Sequence, residues 1–161
     1  MTVLLVTSRQ GREGDAILEL EWALEKVRVK GTDWGGVLLA ETPLSRKEVL
    51  RRLREFETQA IQRVVPLDRF VPARWEEIER AVLELAGEIS GTFAVRARIR
   101  GNKRLSQREL EVKLGSLIVE RYRLKVNLSD PDWTVVVEVL GKRAGVGLVR
   151  RGEVLRFEVK D

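Results

Sequence analysis

Residues 92–110 read TFAVRARIRGNKRLSQREL. Side chains alternate across a β-strand, so Phe93, Val95, Ala97 and Ile99 share one face while Arg96, Arg98 and Arg100 share the other. The pattern predicts a strand over 92–100 that packs on a core and presents a guanidinium about every 6.7 Å on its far face. That interval is close to the phosphate spacing along a nucleic-acid strand; the competing explanation is a sheet face blunted by charge. GNKR (101–104) predicts a turn. Ser106 then caps a helix, with Glu109 completing a capping box and Leu105 stapling against Leu110. Leu110, Leu114, Leu117 and Ile118 form the apolar stripe of that helix. Gly115 in its interior costs about 1 kcal/mol relative to Ala, which predicts a close backbone approach there.

The surroundings of this stretch are unevenly charged. The chain of 161 residues carries 30 Lys and Arg against 25 Asp and Glu, a formal net charge of +5. Residues 1–72 hold 12 basic and 11 acidic residues, whereas 96–125 hold 10 basic and three acidic. The whole excess is local, which is the electrostatic footprint of a nucleic-acid binder, with an acidic partner or solvated surface as the alternatives. There is no Cys, which excludes disulfides, thiolate metal sites and sulfur relays, and no His, the usual general base and metal ligand. Neither metal nor other cofactor is expected, and no catalytic residue is assigned. No apolar run approaches the roughly 20 residues of a membrane span, and the start lacks the features of a secretory signal. A cytoplasmic protein is expected. The 34% charged content and the two Asn and four Gln resemble heat-adapted composition.

The first 72 residues alternate strands and helices. VLLV (3–6), GGVLLAE (35–41) and AIQRVVPLDRFV (60–71) are strand-like, the last with Pro66 at an edge or bulge. VRVKGTDW (27–34) supplies a further strand. Ile17, Leu20, Leu24 and Val27 mark one helix; Ser45 and Glu48 open another that runs through Glu55. This βαββαβ order predicts a ferredoxin-like N-terminal domain over 1–72. After Pro72, Ile78, Val82, Leu85 and Ile89 define an amphipathic helix, followed by the arginine strand and the Ser106 helix. RLKVNL (123–128), WTVVVEVL (133–140), GVGLVR (145–150) and EVLRFEV (153–159) follow as strands, with turns at SDPD, GKRAG and RRG. The fold class is α+β or α/β, in two joined parts, 1–72 and 73–161.

Other candidate chemistry is weaker. GREGD (11–15) follows a strand and opens a helix, the right context for an anion, yet Glu13 and Asp15 would repel phosphate. Asp130 and Asp132 flank Pro131 with no evident third metal ligand, so turn chemistry accounts for them. Trp22, Trp34, Trp75 and Trp133 are scattered and are expected in the core or packed between domains.

The succession FAVRARIRGNKRLSQRELEVKLG then KVNLSDPDWTVVVEV resembles the THUMP domain of tRNA-modifying proteins over roughly 73–150. The shared features are a strand with alternating basics, a polar turn, a Ser-capped helix containing Leu-Gly, and a Pro-Asp turn before a β-rich stretch. LLVTSRQGRE and RVVPL resemble the ferredoxin-like partner of THUMP in stand-alone members. With the sequence ending at Asp161, no catalytic domain is expected. The resemblance implies a non-enzymatic adaptor that binds tRNA at the acceptor stem and 3′-CCA end and assists a separate tRNA cytidine acetyltransferase in forming 4-acetylcytidine. It implies RNA contacts by Arg98, Arg100, Asn102, Lys103, Arg104 and Arg108, with the helix start at Ser106; Arg96 and Lys113 complete the candidate surface. A turn aromatic or His of some relatives is replaced here by Lys103 or Arg104, and an Arg plane can substitute for a stacking ring. Alternatives are an RNA-binding accessory to tRNA methylation or thiolation, a protein-docking module, or a small phosphate-binding enzyme using Arg100 and Asn102.

Overall fold

The computed structural model of the chain describes residues 1–157. They form two compact units, Met1–Pro66 with the segment beginning at Gly152, and Leu67–Arg151.

In the first unit the element order is β1 (Thr2–Ser8), α1 (Glu13–Leu24), β2 (Arg28–Gly31), β3 (Val37–Thr42), α2 (Arg46–Glu55) and β4 (Ile61–Leu67), the βαββαβ succession read from the sequence. The strands lie in the order β2-β3-β1-β4, with β9 (Leu155–Arg156) added beyond β4. β3 pairs antiparallel with both β1 and β2. Leu4 and Val6 point to one face, as period-two alternation requires, and pack with Leu20 and Leu24 of α1 and Val49, Leu50 and Leu53 of α2. Ser45 caps α2 as expected, its Oγ accepting from the Glu48 N–H at 3.2 Å. Glu19 is the buried acid of α1. Its carboxylate accepts from the backbone N–H groups of Gln59 at 2.6 Å, Ala60 at 3.0 Å and Ile61 at 3.1 Å, donors that the chain entering β4 leaves unmet.

The second unit contains β5 (Arg69–Pro72), α3 (Trp75–Ala86), β6 (Phe93–Arg100), α4 (Gln107–Tyr122), β7 (Trp133–Leu140) and β8 (Arg143–Arg150). Its sheet runs β5-β8-β7-β6. β6 and β7 are parallel, from Phe93 opposite Trp133 to Arg100 opposite Leu140, and α4 is the crossover that parallel strands require. β7 and β8 form an antiparallel hairpin closed by Gly141 and Lys142, with Gly141 at a φ of 63°. Both helices cover one face. Ile78, Val82 and Leu85 of α3 and Leu110, Leu114 and Ile118 of α4 bury Phe93, Val95, Val135, Val137, Val146 and Leu148. The Tyr122 hydroxyl ties the helices by donating to the Leu83 carbonyl at 2.6 Å.

Several expectations need correction. The single strand over 60–71 is two, β4 and β5, in different sheets. Asp68 makes the break: its N–H donates to the Val146 carbonyl and its carboxylate accepts from the Leu148 N–H at 2.7 Å, which draws the chain to β8. Pro66 is nonetheless tolerated at an edge. Gln62 bonds towards β9, and Pro66, four residues on, faces the same side past the Arg63 and Val64 pairing. RLKVNL forms no strand beyond one isolated bridge of Val126 to Phe93. Asn127 diverts the chain, its Oδ1 accepting from the Ser129 and Asp130 N–H groups. The turn at GKRAG is shorter than expected, because β8 already starts at Arg143. The expected domain limits of 1–72 and 73–161 also shift. Residues 67–72 lie with the second unit, and β9 pairs with β4 of the first. Among the described residues of the expected strand EVLRFEV, Leu155–Arg156 form β9 and the Phe157 N–H donates to the Gln62 carbonyl; residues 158–159 lie outside the described residues. Gly115 has nothing within 4 Å of where a Cβ would stand, so no internal backbone approach explains it.

Replacing Glu19 by Ala leaves the donors of Gln59, Ala60 and Ile61 without their acceptor and should cost about 3 kcal/mol. Denaturant unfolding measures the loss, and amide exchange at Ala60 and Ile61 should accelerate with it.

Candidate nucleic-acid interface

The far face of β6 carries Ala94, Arg96, Arg98 and Arg100, since the alternate residues Phe93, Val95 and Ala97 are buried. The three arginines are not equivalent. Arg98 is exposed and has no protein partner among the described residues. The Arg96 guanidinium, also exposed, donates to the Leu128 carbonyl. Arg100 is half-buried, 3.4 Å from a Glu138 carboxylate that is 2% exposed. One arginine of the strip is thus committed to balancing a buried acid.

Beyond Arg100 the chain turns at Gly101, whose φ of 67° suits a residue without a Cβ. Asn102 organises the turn from both ends of its amide. Nδ2 donates to the Gly141 carbonyl at 3.0 Å, and Oδ1 accepts from the N–H groups of Arg104 at 2.9 Å and Leu105 at 3.3 Å. The N–H of Gly141 returns a bond to the Arg100 carbonyl at 2.7 Å, joining the turn to the β7–β8 hairpin. With the backbone so held, the side chains of Lys103 and Arg104 project into solvent. Leu105 packs on the core, and Ser106 caps α4 by accepting from the Glu109 N–H at 3.3 Å. Arg108 is exposed in the first turn of α4. Lys113, one turn further, lies 3.7 Å from Glu109 and 5.8 Å from the centroid of the Trp75 ring.

The nine candidates therefore divide. Arg98, Lys103, Arg104 and Arg108 are exposed cations without a side-chain partner among the described residues, carried by the end of β6, the turn and the start of α4. Arg96, Arg100, Asn102, Ser106 and Lys113 each make a contact within the protein. Sequence reasoning missed Trp75. It is half-buried and, with Arg104, Ser106, Glu109 and Lys113, lines a pocket of about 250 Å³ beside the basic turn. Nothing in the local sequence links Trp75 to residues some thirty positions away; only the packing of α3 beside α4 does. Such a pocket offers an aromatic edge, two cations and a carboxylate acceptor, groups able to receive an unpaired base.

The remaining candidates have local explanations. The Glu13 carboxylate accepts from the N–H groups of Gly11 and Gly36, the latter at 3.1 Å. These bonds, that from Gly36 foremost, hold its carboxyl below the ordinary value, so the protein's own anion takes the Gly11 amide at the start of GREGD. Asp132 accepts from the N–H of Thr92 at 2.9 Å and from its hydroxyl at 3.0 Å. Arg151 lies 3.1 Å from Asp130 and 3.2 Å from Asp132. No group of three acidic side chains placed to hold a metal occurs among the described residues. Trp34, Trp75 and Trp133 are half-buried, but Trp22 is 65% exposed on α1, against the expectation of a packed position. No helix among the described residues is long and apolar enough to cross a membrane.

Residues 72–149 match the family model of the THUMP domain. No protein of curated function matches the chain by sequence. Solved structures similar in fold include the following three. PH1313 from Pyrococcus horikoshii OT3 is 23% identical over 97% of this chain and 55% of its own, with a TM-score of 0.71. TrmN from Thermus thermophilus is 21% identical over 92% of this chain and 45% of its own, with a TM-score of 0.70. A 4-thiouridine synthetase, solved with RNA and bound ATP, is 18% identical over 97% of this chain and 42% of its own, with a TM-score of 0.64. The chain thus spans about half the length of these proteins.

Two outcomes are expected from the internal contacts. Arg100→Ala should destabilise the protein by about 2 kcal/mol, because Glu138 loses a charged hydrogen-bond partner, while Arg98→Ala should leave unfolding unchanged. Thermal or denaturant melts of the two variants check this difference. Asp132 is held below its ordinary value of 3.8 by the Thr92 N–H first, then the Thr92 hydroxyl and Arg151. A depressed carboxyl contributes stability that is fully present above pH 3.8 and is lost as pH falls through the folded value. Asp132→Asn should therefore flatten the acid limb of a stability–pH profile and leave its slope above pH 5 unaltered.

Proposed function

We propose that this chain, whose residues 72–149 are a THUMP domain, is a tRNA-binding adaptor without catalytic activity of its own. It holds the acceptor stem and 3′-CCA end and presents the tRNA to a separate cytidine acetyltransferase that forms 4-acetylcytidine. THUMP is an RNA-binding domain of tRNA modification, which supports tRNA as the substrate class. The observation that carries the reading is the run of four cations, Arg98, Lys103, Arg104 and Arg108, that have no side-chain partner among the described residues. Cations already satisfied within the fold give little to an incoming phosphate, whereas these release counterions when they meet one. Arg104 and the neighbouring Trp75 pocket supply planar groups for an unpaired base at the end of a stem. Selection then rests on A-form shape and a free terminus more than on a base code. A chain without His or Cys also lacks the usual base and nucleophile for modifying a nucleoside itself.

A second reading shares the RNA surface but changes the chemistry served. The fold is similar to that of a 4-thiouridine synthetase solved with RNA, a protein more than twice as long. On that reading this chain delivers tRNA to a thiolating or methylating activity.

The test compares full-length tRNA, tRNA trimmed of CCA and tRNA lacking the anticodon arm at one salt concentration. Trimming CCA should weaken binding, and removing the anticodon arm should change it little. Replacing Arg98 and Arg104 together by Ala should lower the slope of log affinity against log salt by roughly 1.4, at ~0.7 per phosphate contact. Equal affinity for intact and trimmed tRNA would refute end recognition. Nucleoside analysis after adding an acetyltransferase, acetyl-CoA and ATP separates the two readings: 4-acetylcytidine whose formation depends on this chain supports the first.

A further inference from the structure

Seven large hydrophobic side chains are exposed among the described residues, and four of them line one groove. Val112 and Val119 of α4 stand on one side, Val126 and Leu128 of the following segment on the other, at 57, 37, 48 and 63% exposure. The groove measures about 670 Å³. Scattered exposed apolar side chains need no explanation, whereas a contiguous concave set marks an interaction surface. We propose that its occupant is a second copy of this chain, packed helix against helix in a two-fold dimer through α4.

Three observations favour that occupant. Gly115 sits in the groove with Ser116, midway between Val112 and Val119 on the same helical stripe. A glycine inside a helix costs about 1 kcal/mol relative to Ala, and nothing within 4 Å of its absent Cβ recovers that cost internally. The open space lies where another helix can approach closely, ridge into groove. Charge narrows the choice further. The groove carries Arg96 from β6 and Glu120 from α4. In an isologous contact, residue i of one copy meets residue j of the other and the reverse. A surface bearing both signs is therefore its own complement, while Glu111 and Glu120 on the same lining disfavour RNA phosphates. Finally, the neighbouring edge of β6 is closed to strand addition at two points. Phe93 exchanges backbone bonds with Lys125 and Asn127, and the Ala97 N–H is taken by the Glu111 carboxylate at 3.0 Å. Docking must then be by side-chain packing on α4.

Sedimentation velocity on the full chain from 1 to 200 µM should give the mass of two copies, falling to one in Val119→Glu and Leu128→Glu, whose circular dichroism should match the parent. Because the chain has no Cys, a single Ser116→Cys substitution adds an independent readout. Oxidation should link two copies through it several-fold faster than through Lys47→Cys on exposed α2. A monomer throughout the concentration range would overturn the proposal, leaving the groove to a different partner. So would a dimer that survives both glutamate substitutions, or equal cross-linking at positions 116 and 47.

Discussion

Parallel pairing of β6 with β7 is the constraint from which the second unit follows. Two parallel neighbours cannot be joined by a tight turn, so the chain must leave β6 at its carboxyl end and return along a crossover, here α4. The crossover covers one face of the sheet and thereby sorts the side chains of β6, with Phe93, Val95 and Ala97 beneath α4 and the arginines opposite. It also brings a turn and a helix start to the same end of the strand, where open α/β sheets commonly receive ligands. The basic turn therefore owes its position to strand direction as much as to its own residues.

Holding and presenting are divided among different side chains. Asn102 spends its whole amide on backbone, bonding the hairpin with one end and the turn with the other. Because it does so, Lys103 and Arg104 need no contacts of their own to be fixed in place, and their long side chains remain available. Preorganised backbone with unengaged charges is what a phosphate surface needs, since ordering the loop at the moment of binding would subtract from affinity. Arg100 and Arg96 differ from these: before any ligand arrives Arg100 is paired with the Glu138 carboxylate, and Arg96 already donates to the Leu128 carbonyl.

Much of this was legible in the sequence because it depends on short periods. The alternation over 93–100, the Ser45 and Ser106 caps, and the stripes Ile78-Val82-Leu85 and Leu110-Leu114-Ile118 all rest on neighbours within one or two turns. The order of elements in the first unit was readable for the same reason. What failed depended on distant partners. Asp68 breaks a continuous apolar run only because Val146 and Leu148 lie beside it. RLKVNL has strand composition, yet the side chain of Asn127 turns the chain away after one bridge. Arg100 looks identical to Arg98 until Glu138, thirty-eight residues later, is seen beside it. Trp75 joins the basic turn through helix packing that no local pattern encodes.

The pairing of β9 with β4 makes the first unit discontinuous in the chain, with the second unit spliced between its sheet strands. A ribosome releases the polypeptide from its amino end, so Arg63 and Val64 emerge some ninety residues before Leu155 and Arg156 can pair with them. The inserted unit has all its own strands in hand by Arg150, earlier than the unit whose chain flanks it. During synthesis the embedded module can thus reach its native sheet first, while the host waits with one flank of β4 unpaired. An order of assembly is written into the connectivity, the inserted unit preceding completion of the one whose chain it interrupts.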